Sequence, residues 1–564
     1  MSLLEVKNLS VAFKGNGGLV NAISDISFSL EASKTLALVG ESGSGKSVTS
    51  LCLMQLLQKN AANISGEILF ENRNLLAATE TEMQNLRGNK ISMVFQEPMS
   101  SLNPVQTCGA QVLENILQHN YDKKYSRESA VKKVLELFDE VQLPSPERIY
   151  KSYPHEISGG QKQRVMIAMA ISCSPTLLIA DEPTTALDVT VQKQILELLK
   201  SLQQKHGMAI VFISHDLGVV ADIADDIGVL FKGNLIEKNT AKNIFTHPQH
   251  KYTQALLQCK PTLNTGKNKL VTVEDLLNND ASRDVENEFE VDNTAPKYLE
   301  KKVLLQVENL STHFSSRISF FSKNKNIVKA VDDVSFTINT GETIGIVGES
   351  GCGKTTLGRS ILRLVEPTTG NIIFSGINLM QLGKIEMREM RKKMQLIFQD
   401  PYSSLNPKIT IGNAIIEPML VHKIYDSKPK CYAKMVSLLE RVGLTETHAS
   451  RYPHEFSGGQ RQRIVIARAL AMNPQFIICD ESVAALDVSV QAQVLNLLNE
   501  LKRDFQFSYM FITHDLAVAK YMSDYILVMN KGKIEEQGNA EELFLNPQKE
   551  YTKKLIDAIP VVPY

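Results

Sequence analysis

The chain is written twice. LEVKNLSVAF from Leu4 returns as LQVENLSTHF from Leu305, and LVGESGSGKS around Lys46 returns as IVGESGCGKT around Lys354. FQEPMSSLNP from Phe95 matches FQDPYSSLNP from Phe398, and YPHEISGGQKQR from Tyr153 matches YPHEFSGGQRQR from Tyr452. FISHDL from Phe212 and KYTQALL from Lys251 reappear as FITHDL from Phe511 and EYTKKLI from Glu550. These six blocks recur in the same order, each displaced by about 300 residues. A period of that length is a duplicated domain, far longer than a solenoid repeat. With 564 residues the chain also exceeds what one compact core holds. Domains are therefore expected over 1–260 and 303–564.

Residues 261–302 have no counterpart elsewhere, are polar and are acidic in the middle. They read as a linker with one short helix near Val273–Leu277. Fully extended, such a linker reaches on the order of 140 Å, and as a coil about 35–40 Å. Two tethered domains then meet at an effective concentration of about millimolar. Lys+Arg at 61 against Asp+Glu at 62 gives a formal charge of −1, so bulk charge supplies no reason to expect nucleic acid as partner. No apolar run approaches the roughly 18–20 residues that span a bilayer. MSLLEVKNLS lacks the basic flank and apolar core of a secretory signal. The expectation is a cytoplasmic chain that relies on others for any membrane span. The seven cysteines form no CxxC pair and no zinc-spaced cluster, and they read as buried small hydrophobes.

The chemistry begins at Gly40, Glu41, Ser42, Gly43, Ser44, Gly45, Lys46 and Ser47. An apolar strand, TLALV, precedes this loop and a helical pattern that includes Val48 follows it. Strand, glycine-rich loop and helix is the context that gives GxxxxGK[ST] its meaning. Backbone N–H groups wrap phosphates there, and the helix N-terminus adds positive potential. Lys46 would reach the β/γ-phosphates and the Ser47 hydroxyl would ligate Mg²⁺. Gly348, Glu349, Ser350, Gly351, Cys352, Gly353, Lys354, Thr355 and Thr356 repeat the pattern. LLIADE and FIICDE then end apolar strands in paired carboxylates. Asp181 and Asp480 suit a Mg²⁺ contact, and Glu182 and Glu481 suit activation of water. Ser158, Gly159, Gly160 and Gln161, with Ser457, Gly458, Gly459 and Gln460, place a hydroxyl and exposed N–H groups at a helix start, where a phosphate can bind.

ISGGQ and FSGGQ resemble the signature motif of ATP-binding-cassette ATPases, and the ordered motif set covers nearly all of the chain outside the linker. The resemblance implies an α/β fold with a RecA-like core, an antiparallel β subdomain and a helical signature subdomain. It also implies roles at matching positions. Phe13 and Phe314 stand where an aromatic stacks on adenine. Gln96 and Gln399 stand where a glutamine touches Mg²⁺ and senses a membrane partner. Asp188 and Asp487 lie in the loop linking two sites, while His215 and His514 hold the γ-phosphate. In this family the halves bind head to tail, so Lys46 would share its ATP with Ser457, and Lys354 with Ser158.

Three classes join two such cassettes without membrane spans. Repair proteins of this kind carry zinc modules, for which no cysteine spacing is present. Ribosome-acting translation factors typically have DEPTNHLD and a charged helical linker, whereas this chain reads DEPTTALDVTVQ and DESVAALDVSVQ. The third class, the importer ATPases, is favoured, and the ribosomal class stands as the alternative. YPHE, the SSLNP segments and the HPQHKYT tail resemble the dipeptide/oligopeptide importer group. Two permease subunits and, through them, a solute-binding protein are the implied partners, at the cytoplasmic face of the plasma membrane. SSRISFFSKNKN is an insertion of the second half whose Phe320 and Phe321 pack on the cassette or on a permease. Only Cys259 follows the first HPQHKYT, so no iron–sulphur cluster is expected. Ser482 replaces Pro183, a change that only frees φ. Since Glu481 remains, both sites are expected to turn over.

Overall fold

The computed structural model describes residues 2–15, 18–58, 61–96, 101–120, 125–185, 187–263, 265–266, 269–278, 302–317, 325–484 and 486–559. Phe320, Phe321 and linker positions 279–301 lie outside these. Two compact units are present, Met1–Gln258 and Cys259–Ile559.

In the first unit, TLALV, LLIAD and AIVFIS form the strands Thr35–Val39, Leu177–Asp181 and Ala209–Ser214, buried along their whole length. Parallel strands covered on both faces need such unbroken apolar runs, because neither face meets water. With Ile91–Val94, Asp226–Phe231 and Asn234–Thr240 they build a six-stranded sheet, parallel except for the final hairpin. A second, antiparallel sheet takes Ser2–Gly15, Gly18–Glu31, Ala62–Phe70 and Arg73–Asn74. Leu4, Val6, Ile26 and Ile68 of this sheet share one core with Leu36, Ile179 and Val211 of the other. Each such side chain, when fully buried, contributes about 1.5–3 kcal/mol.

Between Ile91–Val94 and Leu177–Asp181 the chain leaves the sheet for a helical region, with helices Cys108–Gln118, Arg127–Glu140 and Gly159–Ile171. The last is tied back by Arg164, which donates to the Gln194 side chain at 3.2 Å on the helix Val189–His206.

The second unit repeats both sheets, with Thr343–Val347, Ser508–Ile512, Phe476–Asp480 and Met394–Ile397 in the parallel positions. Arg463 and Gln493 repeat the helical tie at 2.7 Å. This unit also includes the described start of the expected linker. Leu270 gives its N–H to, and takes a hydrogen bond from, the Asn496 side chain at 2.9 and 2.8 Å. A short helix, Val273–Asn278, follows, with Thr272 accepting from the N–H of Asp275.

Candidate active site

Four neighbouring strands of each parallel sheet end along the same edge. In the first unit Val39 lies opposite Ser214, Asp181 opposite Ile213, and Val94 opposite Ala180. Gly40, His215, Glu182 and Gln96 thus leave the sheet at one level, outside the strand carboxyl ends where α/β folds hold their ligands.

The phosphate loop turns into helix Lys46–Leu53 through Gly45, at φ 102°. A Cβ there would lie 2.9 Å from the Ala22 carbonyl oxygen, so the left-handed turn and the close approach both demand glycine. Gly353 repeats this at φ 111° before helix Lys354–Ile361. Neither helix start has a side-chain cap, which leaves its first N–H groups to an anion. Lys46 Nζ donates to the Gly40 and Glu41 carbonyls at 2.6 and 2.8 Å, and Lys354 Nζ to Gly348 and Glu349 at 2.7 and 3.0 Å. Ser44 is buried and its hydroxyl has no hydrogen-bond partner among the described residues, and Cys352 fills the same buried slot in the second loop. A thiol behaves as a small hydrophobe and fits a buried slot of that size.

Beside the loop, Ser47 Oγ donates to Asp181 at 3.3 Å and Thr355 Oγ1 to Asp480 at 2.8 Å. Burial pushes the Asp181 carboxyl up, the adjacent Glu182 charge adds to the effect, and the group sits at about 6. Asp480 is raised for the same leading reason. Burial acts upward on Glu182 too. There the hydrogen bond and charge of His215, the Lys46 charge and the Thr185 hydroxyl outweigh it and hold the carboxyl at about 2. Glu481 is lowered against its own burial by His514 and Lys354. His215 Nδ1 stands 3.1 Å from Glu182 Oε2, and Gln96 Nε2 donates to the same oxygen at 3.0 Å. In the second unit His514 is 3.5 Å and Gln399 2.8 Å from Glu481 Oε2. An ionised carboxylate held in this way can orient and polarise a water molecule.

Two features of this cluster were not legible in the motifs. Glu182 and Glu481 sit in the left-handed region, at φ 47° and 48°. For a non-glycine residue that costs about 1–3 kcal/mol, and such strain gathers at functional sites. Thr185 Oγ1 donates to Glu182 Oε2 at 2.9 Å. The only sequence signal for Thr185 is that TTALD in the first half becomes VAALD in the second.

The remaining expected residues lie elsewhere in their units. Ser158 caps helix Gly159–Ile171, accepting from the Gln161 N–H at 3.3 Å while Gln161 Oε1 takes the Ser158 N–H at 3.0 Å. Ser457 and Gln460 repeat this capping box at 3.3 and 3.1 Å. These serines are thus bonded within their own helix starts. Asp188 caps helix Val189–His206 through the Val191 N–H at 3.1 Å, and Asp487 precedes helix Val488–Phe505. Phe13 is half-buried against the first core, whereas Phe314 is 46% exposed.

Comparison with known proteins now decides the family. The model described as ABC transporter matches residues 23–185 and 331–484. The chain belongs to the ABC transporter family. Its two halves are ATP-binding cassettes, and it is an ATPase. A second family model, oligopeptide/dipeptide transporter C-terminal region, matches this ABC ATPase at 236–283 and 536–563, which favours the transporter reading over the ribosomal alternative. "Glutathione import ATP-binding protein GsiA" of Pectobacterium atrosepticum is 46% identical, over 99% of this chain and 90% of that protein. The protein of the same name in Salmonella typhimurium is 47% identical with the same coverage. A solved dimeric ATP-binding cassette with bound ADP and Pi is 28% identical, with a TM-score of 0.38, covering 42% of this chain and 99% of that one. No helix among the described residues is long and apolar enough to cross a membrane.

Proposed function

We propose that this ATPase energises import of glutathione or a similarly small peptide-like solute, hydrolysing ATP at both Glu182 and Glu481. The observation that carries the reading is the repeated cluster in which a histidine and a glutamine converge on one strained carboxylate beside a phosphate-loop lysine. The solute class is supported by the names of the relatives and by the oligopeptide/dipeptide C-terminal match in each half.

Loop N–H groups and Lys46 or Lys354 bind and orient the phosphates, and Phe13 or Phe314 stacks on adenine. Glu182 or Glu481 aligns water on the γ-phosphate, with His215 or His514 holding the transferred group. Ser47, Asp181 and Gln96, or Thr355, Asp480 and Gln399, offer only oxygen donors. Among the described residues no three His, Cys, Asp or Glu side chains gather as a metal site. That donor set fits Mg²⁺, which takes few protein ligands and completes its shell with phosphate and water. When bound it would neutralise phosphate charge. The opposite half completes each site, Ser457 acting on the ATP of Lys46 and Ser158 on that of Lys354.

The spans come from two permease subunits, which receive solute from a solute-binding protein, and this chain works peripherally on the cytoplasmic face of the plasma membrane. Affinity purification of the tagged full chain from detergent-solubilised membranes should recover two polytopic membrane proteins in stoichiometric amount. Recovery of ribosomes without membrane proteins contradicts the assignment.

A further inference from the structure

The tails KYTQALL and EYTKKLI form helices Lys251–Cys259 and Glu550–Asp557, and each returns a tyrosine to the phosphate loop of its own unit. Tyr252 Oη accepts the N–H of Glu41 at 3.2 Å, and Tyr551 Oη accepts the N–H of Glu349 at 3.2 Å. The same pair of atoms meets at the same distance although the surroundings differ. Tyr252 is fully buried, its ring tilted on Phe231 with centroids 4.2 Å apart. Tyr551 is half-buried, and Asn530 ends the strand that Phe231 ends in the first unit. A contact maintained through that change is carried by the hydroxyl rather than by ring packing.

The start of each helix is itself fixed from the sheet. Glu237 accepts the N–H groups of Gln249 and His250 at 2.8 and 3.0 Å, and Glu536 those of Gln548 and Lys549 at 2.7 and 3.1 Å. On the loop, the tyrosine takes the Glu41 N–H while Lys46 takes the Glu41 carbonyl, so one residue is held through both of its backbone polar groups.

We infer that Tyr252 and Tyr551 are positioning residues that hold the phosphate loop in its binding shape before nucleotide arrives. The inference rests on the ATP sites proposed above. The loop contains Gly43 and Gly45 at φ 78° and 102°, and glycine loses the most conformational freedom on ordering. Whatever ordering is completed in advance no longer opposes binding. The tyrosines thereby act on ATP affinity and leave the chemical step to the carboxylate cluster.

The test uses the full chain with Tyr252→Phe, Tyr551→Phe and the double substitution, which keep the ring and delete the hydroxyl. Without nucleotide, deuterium exchange in the peptide spanning residues 36–46 should quicken several-fold in Tyr252→Phe. The double variant should show a KM for ATP raised by about 3- to 10-fold, the worth of one hydrogen bond, with kcat within about twofold. Thr253→Val is the control, since it loosens the same helix through the 2.6 Å bond to Glu237 without touching the loop. A KM unchanged in the double variant, or raised no more than by Thr253→Val, overturns the inference. Tyr551→Phe alone, at the half-buried position, carries the test if Tyr252→Phe does not fold. A wild-type chain without ATP hydrolysis would sink the ATP sites themselves, whereas normal wild-type kinetics with unmoved variants would sink only the tyrosine role.

Discussion

Glu182 and Glu481 share a backbone conformation but not a full set of partners. Glu182 Oε2 accepts from Thr185 at 2.9 Å, while Ala484 occupies the matching place in the second half. The histidine also stands closer in the first half, 3.1 against 3.5 Å. One hydrogen bond to a charged acceptor contributes about 1.5–3 kcal/mol when its partner stays buried, and less if water replaces the hydroxyl. Thr185→Ala should therefore lower turnover at the first site by about tenfold, and Ala484→Thr should raise it at the second. Each is measured with the other site silenced by its own Glu→Gln substitution, which removes about 10²–10³ in rate. Equal turnover in Thr185→Ala and its parent would show that the hydroxyl only packs. Ser482, where the first half has Pro183, is buried beside the Cys479 thiol and leaves the position of Glu481 unchanged in kind.

At the scale of elements, the signature helices separate two reasons for glycine in one motif. A Cβ on Gly459 would lie 2.2 Å from Val490 Cγ1, and one on Gly160 2.8 Å from Val191 Cγ1. Gly458 has open space around it. The second glycine of each pair is thus set by packing against helix Val488–Phe505 or Val189–His206, whereas the first carries no such packing demand among the described residues. Gly459→Ala should lower the thermal midpoint by an overpacking cost of about 1–3 kcal/mol, and Val490→Ala in the same chain should restore it. Gly458→Ala should leave the midpoint alone and reduce ATPase turnover. A midpoint that falls equally for both would contradict the division. The motif SGGQ announced a helix start, because capping chemistry is local to the chain. It could not announce which glycine faces Val490, since that contact joins residues about 30 apart in sequence. The strands were legible for a similar reason: TLALV and FIICD are too uniformly apolar to lie anywhere but between two covered faces. The left-handed glutamates and the tyrosine contacts were not, because each depends on register between distant segments.

Across the whole molecule, duplication explains why the phosphate loop, the strand-end carboxylates and the SGGQ motif each occur twice, and the family match in each half accounts for their order. The expected linker has a structural part. Leu270 is anchored on Asn496, Lys520 donates to the Leu263 carbonyl, and Thr272 opens a short helix, all within the second unit. A polar composition read as tether did not reveal this, because two backbone bonds to one buried asparagine leave no periodic signature. The central claim concerns the origin of each signature serine, and Ser457→Arg tests it most directly. The full chain, carrying an engineered protease site between residues 279 and 301, is loaded with a photoreactive radiolabelled ATP analogue, allowed one turnover, crosslinked and cut. Shared sites predict that Ser457→Arg blocks hydrolysis of nucleotide held by the N-terminal fragment, and that Ser158→Arg blocks it in the C-terminal fragment. If each arginine silences only the site in its own fragment, the halves do not complete one another and the account of the mechanism is wrong.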